Sequence, residues 1–425
     1  MTRKNDSDRY VVPNSSRGSW DVVKEDHQRA SAHARTKAEA IDRGREIVKG
    51  QGGGELRIAN KKGKLIDSTR CAARATPSRL PRTQVERAVR SVSDLPDGTL
   101  RPWEEVADSR SWETLLIGNG LSRHMGALRL PDAFDHASAG DLTRKDRALF
   151  DRSPNFERAL GDLLTAIRVC SVAGLDTAPL YERYRSIQIA LGSAVRNVHV
   201  NRDEVPGETR QAIRDVIAEF EWVFTTNYDL LIYWAIAYPG YFEPFIDNFR
   251  WAGRCEFDPA RAPVNAGEVP IYFLHGALHL VVAGDGKVFK LRRKRIDRLL
   301  DQFGQPIEGD PDARPLLVTE GSAKDKLEVI EGNEYLAHCL DELQSNELDT
   351  VVFGSALGAE DAHITAALSE SPDRAVAVSM LPEGTKGERL ARQMDIYGRV
   401  EVDELVFFDA TTHPLGAPKL RVDAR

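Results

Sequence analysis

Cysteine is scarce in this chain: four in 425 residues, Cys71, Cys170, Cys255 and Cys339. They stand roughly 85 to 100 residues apart and form no Cys-x-x-Cys pair, a spacing that disfavours both a disulfide framework and a zinc ribbon. Long apolar runs are also missing, none approaching the ~18 residues that a membrane helix needs, so no membrane association is expected. The first twenty residues are polar and carry Arg3, Lys4 and Arg9 where a secretory signal would be apolar, which makes the cytoplasm the expected location. Nor is the composition that of a disordered protein: 41% of residues are hydrophobic and 29% charged, an ordinary globular balance.

What is present divides unevenly. Residues 1–100 hold 21 Lys and Arg against 13 Asp and Glu, while the remaining 325 hold 37 against 52. Opposite signs in one chain suggest units with different partners, and the length allows two or three domains. Residues 1–70 read as a small α+β unit, ββαββ. Its strands are Arg9 to Pro13, Trp20 to Lys24 and Glu55 to Ile58, with a fourth after the basic turn Lys61-Lys62-Gly63-Lys64. Thr36-Lys37-Ala38-Glu39 is a capping box that opens a helix running to about Lys49, with Ala40, Ile41 and Ile47 on its apolar side. The basic turn suits nucleic acid or another acidic partner, and equally a solvated face. Residues 71–110 mix Arg, Ser, Pro, Thr and Asp without sustained periodicity and read as a linker, with a short helix at Gln84–Val92.

From residue 111 to 425 the pattern is α/β, a Rossmann-like parallel sheet with both faces covered. A helical insertion at about 131–220 interrupts it, marked by Phe156, Leu160, Leu163, Leu164 and Ile167 and later by Ile213, Val216, Ile217 and Phe220. Expected later strands are Leu316 to Val318, Val351 to Phe353, Ala375 to Val378 and Leu405 to Phe408, alternating with helices such as Asn333 to Leu343 and Asp361 to Leu368. Three polar segments follow apolar strands: Gly118-Asn119-Gly120-Leu121-Ser122 after Leu115 to Ile117, Thr225-Thr226-Asn227-Tyr228-Asp229 after Trp222 to Phe224, and His275-Gly276 after Ile271 to Leu274. In an open parallel sheet the C-terminal strand edge is where ligands bind, and a Gly-rich turn there lets backbone amides approach a pyrophosphate. The pattern reads as a nucleotide pocket.

In this order the segments resemble the sirtuin family: its Gly-Ala-Gly-Ile-Ser loop, its Thr-Gln-Asn-Ile-Asp motif and its His-Gly pair. A fourth family element, a Gly-Thr-Ser-Leu turn, resembles Gly354-Ser355-Ala356-Leu357. The resemblance spans about residues 112–410 and is nearest to bacterial sirtuin-like proteins that hydrolyse NAD, often in anti-phage defence. It implies NAD as the substrate, Gly118, Asn119, Gly120 and Ser122 at the phosphates, and Gly354, Ser355 and Asp361 on the adenosine side. Asn227 would orient the ribose hydroxyls or the water, with Thr226 and Asp229 beside it, and His275 would be the general base. Each site has a plainer reading. Gly118 and its neighbours also make an ordinary strand-to-helix turn, and Asp229 and Asp361 also suit helix starts. Thr226 stands where the family has Gln, and Asn119 where it has Ala.

The zinc module of sirtuin deacylases needs two Cys-x-x-Cys pairs, so a deacylase ranks last, behind an NAD glycohydrolase and a non-catalytic sensor of NAD or ADP-ribose. No metal is expected. His279, four residues after His275, lacks the intervening Glu of a zincin and reads as structural. The amino-terminal unit resembles a small bacterial domain of unknown function with Val-Pro, Trp-x-Val and Thr-x-Ala-Glu-Ala signatures. A hydrolase of NAD needs restraint in its own cell, which gives that unit a role in sensing or in assembly, homo-oligomers included.

Overall fold

The computed structural model describes residues 9–14, 19–24, 30–50, 53–59, 65–72, 95–126, 143–150, 156–238, 242–249, 255–261, 267–291, 313–318 and 322–422. No helix among them is long and apolar enough to cross a membrane. The turn at Lys61, Lys62 and Lys64 and the short helix expected at Gln84–Val92 lie outside the described residues.

The amino-terminal unit has strands β1 (Arg9–Asn14), β2 (Ser19–Val23), β3 (Ala30–Ala34), β4 (Gly53–Ala59) and β5 (Leu65–Ala72), with helix α1 (Lys37–Gly50) starting directly after Thr36. Their order in the sheet is β3-β2-β1-β4-β5, parallel only between β1 and β4. The expected ββαββ unit therefore gains a strand. β3 is Ala-Ser-Ala-His-Ala, with no β-branched residue to announce it, and it joins the sheet by backbone pairing to β2. Helix α1 lays Ala40, Ile41 and Val48 on Val11, Trp20, Val22, Leu56 and Ile58 to form a separate small core.

Helix α1 also reaches the rest of the chain. The Lys37 ammonium is buried and lies 2.9 Å from the buried Glu113 carboxylate, at the start of the next strand. Burial raises the Glu113 pKa and the Lys37 charge opposes it, the rise prevailing.

Residues 95–110, inside the stretch expected as linker, are built onto the larger unit. Arg101 bridges to the last strand through its own N–H to Phe407 O and its carbonyl to Asp409 N, and the Gln393 amide holds Gly98 N and Thr99 O. Backbone pairing of this kind leaves no hydrophobic period in the sequence. Helix α2 (Trp103–Ser109) follows, and the Trp103 ring packs at a tilt on Phe408, with centroids 4.9 Å apart.

The larger unit is centred on a seven-stranded, wholly parallel sheet of β6 (Thr114–Ile117), β7 (Trp222–Thr225), β8 (Phe245–Ile246), β9 (Val269–Phe273), β13 (Thr350–Phe353), β14 (Ala375–Met380) and β15 (Glu404–Asp409). The order is β15-β14-β13-β6-β7-β9-β8. This is a Rossmann-like α/β fold. Leu115, Leu116, Ile117, Val351 and Val352 are fully buried, as strands covered on both faces require. Chain order reverses between β6 and β13, so the loops leaving these two strands flank the switch point where such sheets bind ligands.

After β6 come α3 (Gly120–Met125) and the helical insertion, α4 (Arg144–Phe150), α5 (Phe156–Val172), α6 (Ala178–Val198) and α7 (Gly207–Ile217); α8 (Leu231–Ile236) follows β7. The chain from Val269 to Val282 forms two strands. It turns at His275-Gly276 into β10 (Gly276–Val282), which pairs antiparallel with β11 (Val288–Lys290) and β12 (Arg314–Leu317) in a separate three-stranded sheet. The Leu316 strand, expected in the parallel sheet, lies here instead; an apolar run buried on both faces carries no mark of its direction. Helices α9 (Ala323–Glu331), α10 (Glu334–Gln344), α11 (Ala362–Ser369) and α12 (Lys386–Tyr397) complete the cover, with α10 capped by Asn333.

Gly276 has φ +73°, and a Cβ there would stand 2.0 Å from the Leu316 carbonyl oxygen. Gly276→Ala is expected to destabilise by about 3 kcal/mol or more, because a backbone atom cannot swing aside as a side chain can. An unchanged denaturant midpoint would refute the close approach of β10 and β12.

Candidate functional site

Strands β13, β6, β7 and β9 are consecutive neighbours, so the four polar segments leave the sheet along one edge. The register aligns Phe353, Ile117, Thr225 and Phe273. Ser355, Asn119, Asn227 and His275 each come two residues later, in the segments that leave this edge.

The two Gly-rich loops at the switch point interlock. Gly118 N–H donates to Phe353 O at 2.8 Å and Gly120 N–H to Gly354 O at 2.7 Å. A Cβ on Gly118 would meet Gly354 O at 2.6 Å, one on Gly120 would meet Gly354 Cα at 2.6 Å, and Gly354 itself has φ +72°. The sirtuin resemblance places these amides near a phosphate; here Gly118 N–H and Gly120 N–H bond the opposite loop, and the glycines allow that close packing. Ser355 Oγ accepts from Leu357 N–H at 3.2 Å and shapes its own turn, while Asn119 is exposed on the rim.

Behind the rim lies a buried polar chain. Ser122 Oγ donates to Asp229 Oδ2 at 2.5 Å, and Asp229 Oδ1 accepts from Leu231 N–H at 2.8 Å, which makes Asp229 a helix-start anchor as well. The Ser122 proton is thereby spent, so its oxygen accepts, and the Asn227 group facing it at 3.1 Å must be the Nδ2 amide. This fixes the Asn227 side chain with Oδ1 pointing away. Oδ1 is buried and has no hydrogen-bond partner. A buried carbonyl oxygen without a donor costs about 1–3 kcal/mol, which a ligand hydroxyl or water would recover. Ser122, which the resemblance places at a phosphate, here holds Asn227 in orientation. Thr226 is buried, with its N–H on Ile117 O at 2.9 Å.

His275 is buried just beyond β9. Its Nε2 is 2.8 Å from Nε2 of His363 on α11 and 4.0 Å from Asp361 Oδ1. Lys326 of α9, also buried, donates to Asp361 Oδ1 at 2.8 Å. Loss of solvent pushes the His275 pKa down to about 3, only partly offset by the Asp361 charge, and that of His363 to about 4 for the same reason. Both rings are neutral at pH 7. Burial would raise the Asp361 pKa, but His275 and Lys326 outweigh it and hold the group below its ordinary value. Asp361 precedes α11 without capping it by side chain; its carboxylate serves Lys326. The insertion reaches this cluster, because Arg168 on α5 pairs with Asp325 and Glu328 on α9, beside Lys326.

Donor atoms of His275, Asp361 and His363 lie within 4.8 Å of one another, close enough to meet at a cation. The Lys326 ammonium already neutralises the carboxylate and would repel one. His279 is elsewhere: on β10, stacked on Tyr233 with ring centroids 3.9 Å apart and edge-on to Phe273. The residues that sequence reasoning missed are His363 and Lys326. Their signal was faint, a histidine and a lysine at otherwise apolar helix positions.

A model of the family described as Domain of unknown function (DUF4917) matches residues 115–414. The chain belongs to the DUF4917 family. Upstream of that DUF4917 region, residues 9–71 match the model described as Uncharacterized protein conserved in bacteria (DUF2188). No curated protein sequence matches the chain. Among solved structures it is similar to a crystal structure of a Sir2 homolog–NAD complex, with 13% identity over 73% of this chain and 88% of that one, at a TM-score of 0.31. It is also similar to a structure described as the structural basis for sirtuin substrate affinity, with 14% identity over 70% and 97% of the two chains, at a TM-score of 0.29. The α/β class of this DUF4917 protein rests on its own sheet.

Proposed function

We propose that the strand edge binds NAD and hydrolyses it to nicotinamide and ADP-ribose. The observation that carries this reading is the unpartnered Oδ1 of Asn227, fixed in direction by Ser122 and Asp229, at the same sheet edge as a neutral, buried His275. Breaking the bond between ribose C1′ and the pyridinium nitrogen leaves a cationic ribose, and its electron pair departs with nicotinamide. Water adds hydroxide to C1′ and gives its proton to His275. Asn227 Oδ1 accepts from that water or from a ribose hydroxyl and so aims it. Gly118, Asn119, Gly120, Gly354, Ser355 and Asp361 frame the dinucleotide on the other side, with Thr226 and Asp229 supporting Asn227. Controlled loss of NAD would suit anti-phage defence, with the basic amino-terminal unit as the receiver of a trigger.

The test is full-length protein incubated with NAD, with and without nucleic acid, while nicotinamide release is followed. Release supports hydrolysis. Bound NAD recovered intact under every condition would instead make the chain a sensor of the nucleotide.

A further inference from the structure

We infer that His363 is the positioning and proton-sharing partner of His275, so that the two imidazoles act as one unit. The inference rests on the reading of His275 as the base. The two Nε2 atoms are 2.8 Å apart, and between neutral rings one must donate and the other accept. His275 Nε2 faces His363, which leaves Nδ1 as the ring nitrogen to receive the proton. A base at Nδ1 carries its own hydrogen on Nε2. His275 Nε2–H therefore donates to His363 Nε2, and His363 holds its hydrogen on Nδ1, an atom buried and unpartnered.

When water yields its proton to His275 Nδ1, the Nε2 proton can cross to His363 Nε2. One proton enters the pair, one shifts within it, and the added charge then sits on His363. The charged groups facing the pair are Asp361, which favours that charge, and Lys326, which moderates it. Release reverses the two transfers and returns the proton through His275 Nδ1. A lone His275 would have to hold the charge in a site whose burial disfavours it.

The experiment compares wild type, His363→Ala and His363→Gln. Alanine is expected to lower kcat about 10²-fold with little change in KM, since the ring is no longer held. Glutamine can accept from His275 Nε2–H but cannot take a proton. It is expected to restore part of kcat but not all of it, because the ring is held again while the proton can no longer be shared. Wild-type kcat in His363→Gln, alongside a dead His275→Ala, would overturn the inference and leave hydrolysis standing. Imidazole ¹⁵N NMR of the wild-type protein tests it without turnover or mutation. Nε2–H on His275 and Nδ1–H on His363 are expected, and the opposite pair of tautomers would sink it. Loss of activity with EDTA, restored by a divalent cation, would also overturn it by making the cluster a metal site.

Discussion

Nicotinamide release by His275→Ala and by Asn227→Ala is expected to fall about 10²- to 10⁴-fold, the usual cost of losing a positioned base or its orienting partner. Both proteins should remain folded, since both side chains lie beyond the strand ends rather than in the apolar layers. Asn227→Asp separates orientation from mere polarity. The group facing Ser122 would become a second carboxylate oxygen, while Ser122 still gives its proton to Asp229, so two acceptors would oppose each other where a donor and an acceptor now meet. Loss comparable to alanine is therefore expected from this smallest of changes. Near wild-type release in His275→Ala and Asn227→Ala would dismiss the assignment of the site.

A second large effect is expected on acidification. Burial holds His275 at about 3, His363 at about 4 and His413 at about 3, with His279 and His199 also lowered by burial. An unfolded histidine titrates near 6.5. Between the two values the unfolded chain binds a proton that the native chain does not, so stability is full above about pH 6.5 and is lost as pH falls below it. Each group contributes a slope of up to about 1.4 kcal/mol per pH unit, and three together up to about 4. Against a typical total of about 5–15 kcal/mol, that slope removes about 6 kcal/mol by pH 5, so unfolding should arrive at pH 5 or below. Denaturant midpoints that stay flat from pH 7 to pH 5 would contradict this. His413→Asn removes a titrating group while leaving an acceptor for Leu415 N–H, and should flatten the slope by about one proton.

Much of the site could be read from the sequence because its parts lie at strand ends, where an apolar run stops and polar residues start. Gly118, Asn227, His275 and Gly354 were legible in that way, and adjacency of their strands then follows from the parallel order. His363 was not. It is brought to His275 by the packing of α11 across the sheet edge, a contact 88 residues apart in sequence with no local period. The direction of β12 and the existence of β3 escaped for related reasons. The first is decided by which strand it meets, the second by backbone pairing of alanines. The two aspartates read as helix starts part ways in the structure: Asp229 both starts a helix and holds Ser122, whereas Asp361 precedes one without capping it.

Gly118, Gly120 and Gly354 have a consequence for anyone who recombines this protein. Each leans on the backbone of the other loop with no room for one added carbon, so the two loops are matched like the halves of a single clasp. A chimera that imports the segment after β6 from a relative without the segment after β13 should fail to close the sheet edge. Importing both should succeed even where the rest of the two chains has drifted apart, so the transferable module is a pair of short pieces about 230 residues apart, not a continuous stretch.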